Sequence, residues 1–380
     1  MDYLPKKLQK KLEERTVNKS IRSLGTPNDL VDFSSNDYLG FSTSETIFNR
    51  ASEILEEHNL TVNGATGSRL LSGNHSLYTV TENCISTFHK TDSALIFNSG
   101  YDANVGFFSS VPQRGDIIFY DELCHASIRD GIKLSDAKAY KFTHNNVEGL
   151  KEKHNSTPKG TEVYVVTESI FSMDGDQADL ISLVQFCDEN QCHLVVDEAH
   201  ALGVFGEKGE GLVQQLGLED QIFARLVTFG KGLGSHGAAI LGSQQLISYL
   251  INFARSFIYT TALPPHTLAT IWAAYQELAN CDKHRNKLYS NIAILQNMII
   301  DTKLEEHFIS SHSAIQSCVV SGNENVKKIS QALQNEGFNV KPILSPTVPI
   351  GKERLRICVH SFNTEHEIYA LLQTLKIHLS

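Results

Sequence analysis

A lysine flanked by glycines, Gly230-Lys231-Gly232, closes the segment Thr228-Phe229-Gly230-Lys231-Gly232. An amine there can attack a carbonyl, and its small neighbours let a bound group approach the backbone closely. Asp197 follows the apolar run at 194–196, so its carboxylate is expected to be partly buried and to need a cationic partner. His200, three residues on, can reach the same space. Ser99-Gly100-Tyr101 precedes Ala103-Asn104-Val105-Gly106, which reads as helix. Amides at such a helix start suit a phosphate. His125, in Cys124-His125-Ala126-Ser127, follows another apolar run and offers a ring to stack on a flat ligand. Singly, Lys231 reads as a surface lysine, Asp197 as a helix cap and His200 as a structural histidine. Together they meet the needs of pyridoxal phosphate: a Schiff-base lysine, an acid for the ring nitrogen, a phosphate cup and a stacking ring.

The elements that must hold these residues show the same order. Short apolar runs at 94–97, 117–120, 163–166, 194–196, 226–227 and 238–241 each end in small or polar residues. Helix-length segments such as 180–190 separate most of them. Continuous apolar strands alternating with helices predict an α/β fold, a mostly parallel sheet with helices on both faces. Ligands in such sheets lie beyond the carboxyl ends of the strands. A polar helix is expected over 5–20, a short strand at 31–34, and one long helical pattern over 266–301 after Pro264-Pro265. Strands at 315–320 and 354–359, with helices at 326–336 and 364–378, predict a smaller α+β domain. The expected division is an N-terminal helix and arm (1–45), a large cofactor-binding domain (46–280) and a small C-terminal domain (281–380).

Composition narrows the function class. The 380 residues carry a net charge of −10 and a pI near 5.9, against a dedicated nucleic-acid or membrane surface. Lys6, Lys7, Lys10 and Lys11 are followed at once by Glu13 and Glu14, which reads as a solvated helix face. No apolar stretch approaches the roughly 18 residues of a membrane span, and no signal-peptide core is evident. The seven cysteines form no C-x-x-C pair, so neither disulfides nor a metal site are expected, and a cytoplasmic location is.

Three motifs mislead. Asp197-Glu198-Ala199-His200 spells a helicase box, but Arg225 occupies the first glycine position of the phosphate loop that box requires. Gly232-Leu233-Gly234-Ser235-His236-Gly237 fits G-x-G-x-x-G, yet no helix pattern follows and no acid lies between Asp220 and Glu277. Asp174-Gly175-Asp176 lacks the other ligands of a calcium loop and reads as a tight turn.

The longer motifs resemble those of the α-oxoamine synthases, pyridoxal-phosphate enzymes of fold type I, over nearly the whole chain. They are Phe33-Ser34-Ser35-Asn36-Asp37-Tyr38-Leu39-Gly40, Phe171-Ser172-Met173-Asp174-Gly175-Asp176, Asp197-Glu198-Ala199-His200 and Thr228-Phe229-Gly230-Lys231-Gly232. Ile258-Tyr259-Thr260-Thr261, Pro346-Thr347-Val348-Pro349 and Arg354-Leu355-Arg356 follow in order. The resemblance implies that Lys231 carries the Schiff base, Asp197 holds the ring nitrogen and His125 stacks. It places Ser172 and His200 at the ring and its 3′-oxygen, and the Gly100 and Tyr101 amides with Thr228 at the phosphate. Thr260 and Thr261 would reach that phosphate from the partner in a homodimer. Arg356 would grip an amino-acid carboxylate, a role suited to its fork, with Arg22, Asn36 and Thr347 at substrate-contacting positions. The implied substrates are L-alanine and a pimeloyl thioester of CoA or acyl carrier protein. A sibling that joins glycine or serine to another acyl thioester shares the motifs. A non-catalytic partner subunit would have no need of Lys231. Leu344-Ser345 departs from the Arg-Pro that some members carry there.

Overall fold

Alternation of buried strand and covering helix produces the sheet that the apolar runs predict. A computed structural model describes residues 4–25 and 29–379. Its chain divides into two units, residues 36–172 with 177–286, and residues 1–35 with 173–176 and 287–380.

The larger unit is built on a seven-stranded sheet. Its spatial order is Ser93–Phe97, Ala238–Gly242, Ala224–Thr228, His193–Asp197, Val163–Glu168, Ile117–Asp121 and Lys138–Phe142. Only Ala238–Gly242 runs antiparallel to its neighbours; the remaining pairs are parallel. All six residues of Val163–Glu168 are buried. Since successive side chains point to opposite faces, both faces of that strand are covered. The helix Gly100–Phe108 packs against the Ala224–Thr228 and Ala238–Gly242 strands and against the helix Ala126–Lys133. Phe97, Phe107, Ile128, Val166 and Leu226 meet in one apolar core.

Lys138–Phe142 is the strand that apolar patterning does not reveal. It lies at the sheet edge with three of its five residues exposed, and lysines on an edge discourage pairing with another chain. The pattern over 266–301 is also broken into Pro265–Leu278 and Asp282–Asp301. Arg285 explains the break: it is 2% exposed and donates to the carbonyls of Leu278, Glu207 and Lys208. The Leu278 carbonyl, in the last turn of the first helix, thereby gains a charged donor beside the Cys281 amide. The Gly232–Gly237 stretch runs straight into the Ala238–Gly242 strand, so its dinucleotide-like spacing has no helix behind it.

The smaller unit holds a three-stranded antiparallel sheet, Lys341–Ile343, Arg354–Cys358 and Ile315–Val319. The helices Asn323–Asn335 and Glu365–Leu379 pack on one another. Val31–Asp32 pairs in parallel with Phe338–Asn339, which ties the N-terminal segment into this unit. Asp174 forms an ion pair with Arg354, and Gly175 takes a φ of +80°. The acidic triplet is thus a turn whose first carboxylate is paired with an arginine. The helix Lys6–Val17 buries none of its residues. No helix among the described residues is long and apolar enough to cross a membrane.

Candidate active site

Three parallel strands of the larger unit end in polar residues around one cavity of about 260 Å³. Val163–Glu168 ends in Glu168, His193–Asp197 in Asp197, and Ala224–Thr228 in Thr228; all three line the cavity. Asn36, Gly100, Tyr101, His125, His200 and Lys231 also line it. Of the residues singled out in this unit, the cavity therefore collects all but Ser172, Thr260 and Thr261.

Lys231 Nζ lies 2.9 Å from His200 Nε2. His200 Nδ1 in turn lies 2.6 Å from the hydroxyl of Tyr38, which donates to Asn36 Oδ1 at 3.2 Å. The signpost Ser35-Asn36-Asp37-Tyr38 thus acts on the cavity through a fully buried tyrosine. Asp197 is 6% exposed, and its carboxylate accepts from the Ala199 amide and from Asn104 Nδ2, each at 2.9 Å. Both donors are neutral, and they are the only ones to Asp197 among the described residues. A buried carboxylate so supplied favours a cationic ligand beside it.

The helix Gly100–Phe108 aims its first turn at the same space. Ser99 Oγ caps it by accepting from the Asp102 amide at 3.1 Å, while the Gly100 and Tyr101 amides precede any intrahelical acceptor. A Cβ at Gly100 would meet Thr228 Cγ2 at 2.6 Å, so only glycine keeps this wall open. The Tyr101 side chain turns away, with its hydroxyl on Asp130 at 2.9 Å.

Glu168, unassigned from sequence, is the most perturbed carboxyl of the cavity. It is 3% exposed; burial, reinforced by the nearby Asp197 charge, pushes its pKa up to about 8. It accepts from the His125 amide at 2.5 Å and from the Ser172 backbone, which is how buried Ser172 bears on the site. The only sequence signal was its position at a strand end. Burial lowers the pKa of His125, whose ring also caps the helix Ala126–Lys133. Thr260 and Thr261 lie against Asn98, which donates to Thr260 Oγ1 at 3.0 Å and to the Thr261 carbonyl at 2.8 Å.

Arg22, Thr347 and Arg356 belong to the smaller unit. Arg22 Nη2 donates to Thr347 Oγ1 at 3.2 Å. Arg356 is buried on the central strand of its sheet, opposite Ser317 and Lys341, with Nη1 2.9 Å from Cys358 Sγ.

The cavity fits pyridoxal phosphate on its own chemistry. It offers an amine, a buried carboxylate held by two neutral donors, a ring, and helix-start amides behind a glycine that keeps space open. Comparison with known proteins agrees. The model of the class I and II aminotransferases matches residues 28–375. The chain is 43% identical over 368 residues to an 8-amino-7-oxononanoate synthase of Emericella nidulans, covering 92% of this chain and 89% of that one. Among solved structures, a serine palmitoyltransferase of Sphingomonas wittichii is similar at TM-score 0.90 and 26% identity, covering 98% and 96% of the two chains. An 8-amino-7-oxononanoate synthase of Francisella tularensis is similar at TM-score 0.78 and 27% identity, covering 93% and 98%. The chain belongs to the class I and II aminotransferase family and, within it, to the α-oxoamine synthases, pyridoxal-phosphate-dependent transferases of fold type I.

Proposed function

We propose that the chain joins L-alanine to a pimeloyl thioester, releasing CO2 and the free thiol of CoA or of an acyl carrier protein, to give 8-amino-7-oxononanoate for biotin synthesis. The pyridoxal-phosphate chemistry in this reading is carried by Asp197, buried beneath neutral donors in the cavity that also holds Lys231, and the choice of substrates is supported by the 43% identity to an 8-amino-7-oxononanoate synthase. Lys231 Nζ would hold the cofactor's aldehyde carbon until the amino group of the substrate replaces it there; the amine so freed would take the α-proton of the amino acid and later return a proton to the product. Asp197 keeps the ring nitrogen protonated. The bound pyridinium supplies an electron sink for the pair left when the Cα–H bond breaks. His125 would lie against the ring, while His200 and Ser172 would serve its 3′-oxygen side. Gly100, Tyr101 and Thr228 would hold the phosphate, joined by Thr260 and Thr261 of a second copy in a homodimer. Arg356 binds the α-carboxylate in its fork, with Asn36, Arg22 and Thr347 on the substrates.

A second reading, serine with a long-chain acyl thioester, draws support from the higher TM-score to the serine palmitoyltransferase, 0.90 against 0.78. Backbone similarity is shared by siblings, whereas the 43% identity to a pimeloyl-branch relative also counts side chains, so the alanine reading is preferred. Turnover of pimeloyl, palmitoyl and acetyl thioesters with alanine, glycine and serine separates the two. Fastest turnover should come from alanine with the pimeloyl thioester. Faster turnover of palmitoyl or acetyl thioester would sink the biotin assignment. Borohydride reduction should fix the cofactor on Lys231; an adduct mapped to another lysine would overturn the site.

A further inference from the structure

Asp197 and His125 are joined by two side chains that no catalytic role has yet claimed. Asn104 Nδ2 donates to Asp197 Oδ2 at 2.9 Å and to Ser127 Oγ at 3.0 Å. Ser127 Oγ lies 2.7 Å from His125 Nδ1, and the Ser127 amide lies 3.2 Å from the same nitrogen. Asn104 and Ser127 are 4% and 1% exposed, so these bonds are largely shielded from bulk water although both residues border the cavity.

The direction of every proton in this chain follows from its ends. An ionised carboxylate only accepts, so the amide nitrogen of Asn104, not its oxygen, faces Asp197. With one N–H on Asp197, the other goes to the Ser127 oxygen. Ser127 then has its own hydroxyl proton to give, and His125 Nδ1 is the acceptor in reach. The Ser127 backbone N–H, which can only donate, points to that nitrogen as well. Nδ1 therefore carries a lone pair, and the proton of the neutral ring sits on Nε2. Burial and the adjoining helix start both favour the neutral ring. Among the described residues, His125 Nε2 has no hydrogen-bond partner, and His125 lines the cavity.

We propose that Asn104 and Ser127 are positioning residues that lock His125 as an Nε2–H donor and tie its orientation to Asp197. Resting on the proposed reaction, this deepens it: such a donor serves an acyl oxygen gaining negative charge at carbon–carbon bond formation, and cannot serve as the base. The base is left to Lys231.

The test reads the tautomer directly, on cofactor-loaded enzyme without substrates. Nitrogen-15 spectra of histidine-labelled enzyme, with the signal assigned through His125→Gln, should show Nδ1 unprotonated and Nε2 protonated. Ser127→Ala, which leaves only the backbone amide on Nδ1, and Asn104→Leu should each weaken the preference for the Nε2–H tautomer and lower kcat by about 10–100-fold through misplacement of the ring. The cofactor absorbance of Ser127→Ala should stay unchanged, and Ser127→Thr should restore the wild-type tautomer. A protonated Nδ1 in the wild type overturns the proposal. So does Ser127→Ala with wild-type tautomer and kcat, an outcome that stands even if Asn104→Leu does not fold. Failure of the pimeloyl reaction would appear in the substrate panel and leave these spectra as they are.

Discussion

Asp197 and Glu198 are adjacent carboxylates at one strand end, and they face different surroundings. Glu198 is fully buried and accepts from Arg225 Nε at 3.0 Å, from Arg225 Nη2 at 2.6 Å and from the Val213 amide at 2.9 Å. The rest of the Arg225 guanidinium is spent on the carbonyls of His89 and Glu210. Charge and hydrogen bonds there are satisfied within the protein. Asp197 receives two neutral donors and opens on the cavity. One carboxylate is used by the fold and the next is kept for a ligand. A helicase-like spelling concealed both, since Arg225, the residue that spoils the phosphate loop, is the partner of Glu198.

The largest effect should come from breaking the satisfied side. Arg225→Leu strands the Glu198 charge in the interior, which should cost about 3–5 kcal/mol of unfolding free energy. Adding Glu198→Leu should recover much of that loss. Denaturant unfolding measures both; a single variant within about 1 kcal/mol of wild type would show that the pair is not structural. Asp197→Asn should do the reverse. Turnover should fall at least about 100-fold, roughly 2.7 kcal/mol of barrier, while the unfolding midpoint should hardly move because the two hydrogen-bond donors to Asp197 are neutral. Near-normal turnover would reduce Asp197 to a helix cap.

Glu168 sharpens the comparison through pH. Its pKa is raised in the folded state, from 4.5 to about 8, so the folded protein holds a proton that the unfolded chain releases. Its contribution to stability is complete below about pH 4.5 and is lost as pH rises through about 8. Apoenzyme should thus lose thermal stability as pH rises from about 4.5 to about 8, and Glu168→Gln should flatten that slope. Equal slopes in the two proteins would mean that Glu168 is ionised throughout.

What sequence made legible follows the range of the interactions. The strands that end at Glu168, Asp197 and Thr228 are continuous apolar runs, so patterning and strand-end logic locate most of the cavity. The Lys138–Phe142 strand is half polar because it lies on an edge, and it escapes the same logic. Asn104 and Ser127 were visible only as members of a helix start and of a histidine motif. Their role depends on a buried meeting of segments far apart in sequence. Likewise Ser35 lies 3.1 Å from His360 across 325 residues, and the Asp282–Asp301 helix is parted from its predecessor by an arginine reaching back to carbonyls of another segment. No local spacing encodes such contacts.

The smallest effect concerns Tyr101, where one residue carries both halves of the comparison. Its hydroxyl is satisfied within the protein by Asp130, a bond that raises the pKa of this exposed phenol. Its backbone amide sits at a helix start with no intrahelical acceptor, and so is available to a phosphate. If the ligand is held by backbone, Tyr101→Phe should leave cofactor affinity within about threefold of wild type, since exposed polar pairs contribute little. Gly100→Ala, whose Cβ would meet Thr228 Cγ2 at 2.6 Å, should weaken binding by at least about tenfold through crowding of the same wall. Cofactor titration followed by absorbance ranks the two variants. A larger loss from Tyr101→Phe than from Gly100→Ala would mean that the phosphate is held by side chains, and that the line between satisfied and reserved groups does not run through this residue.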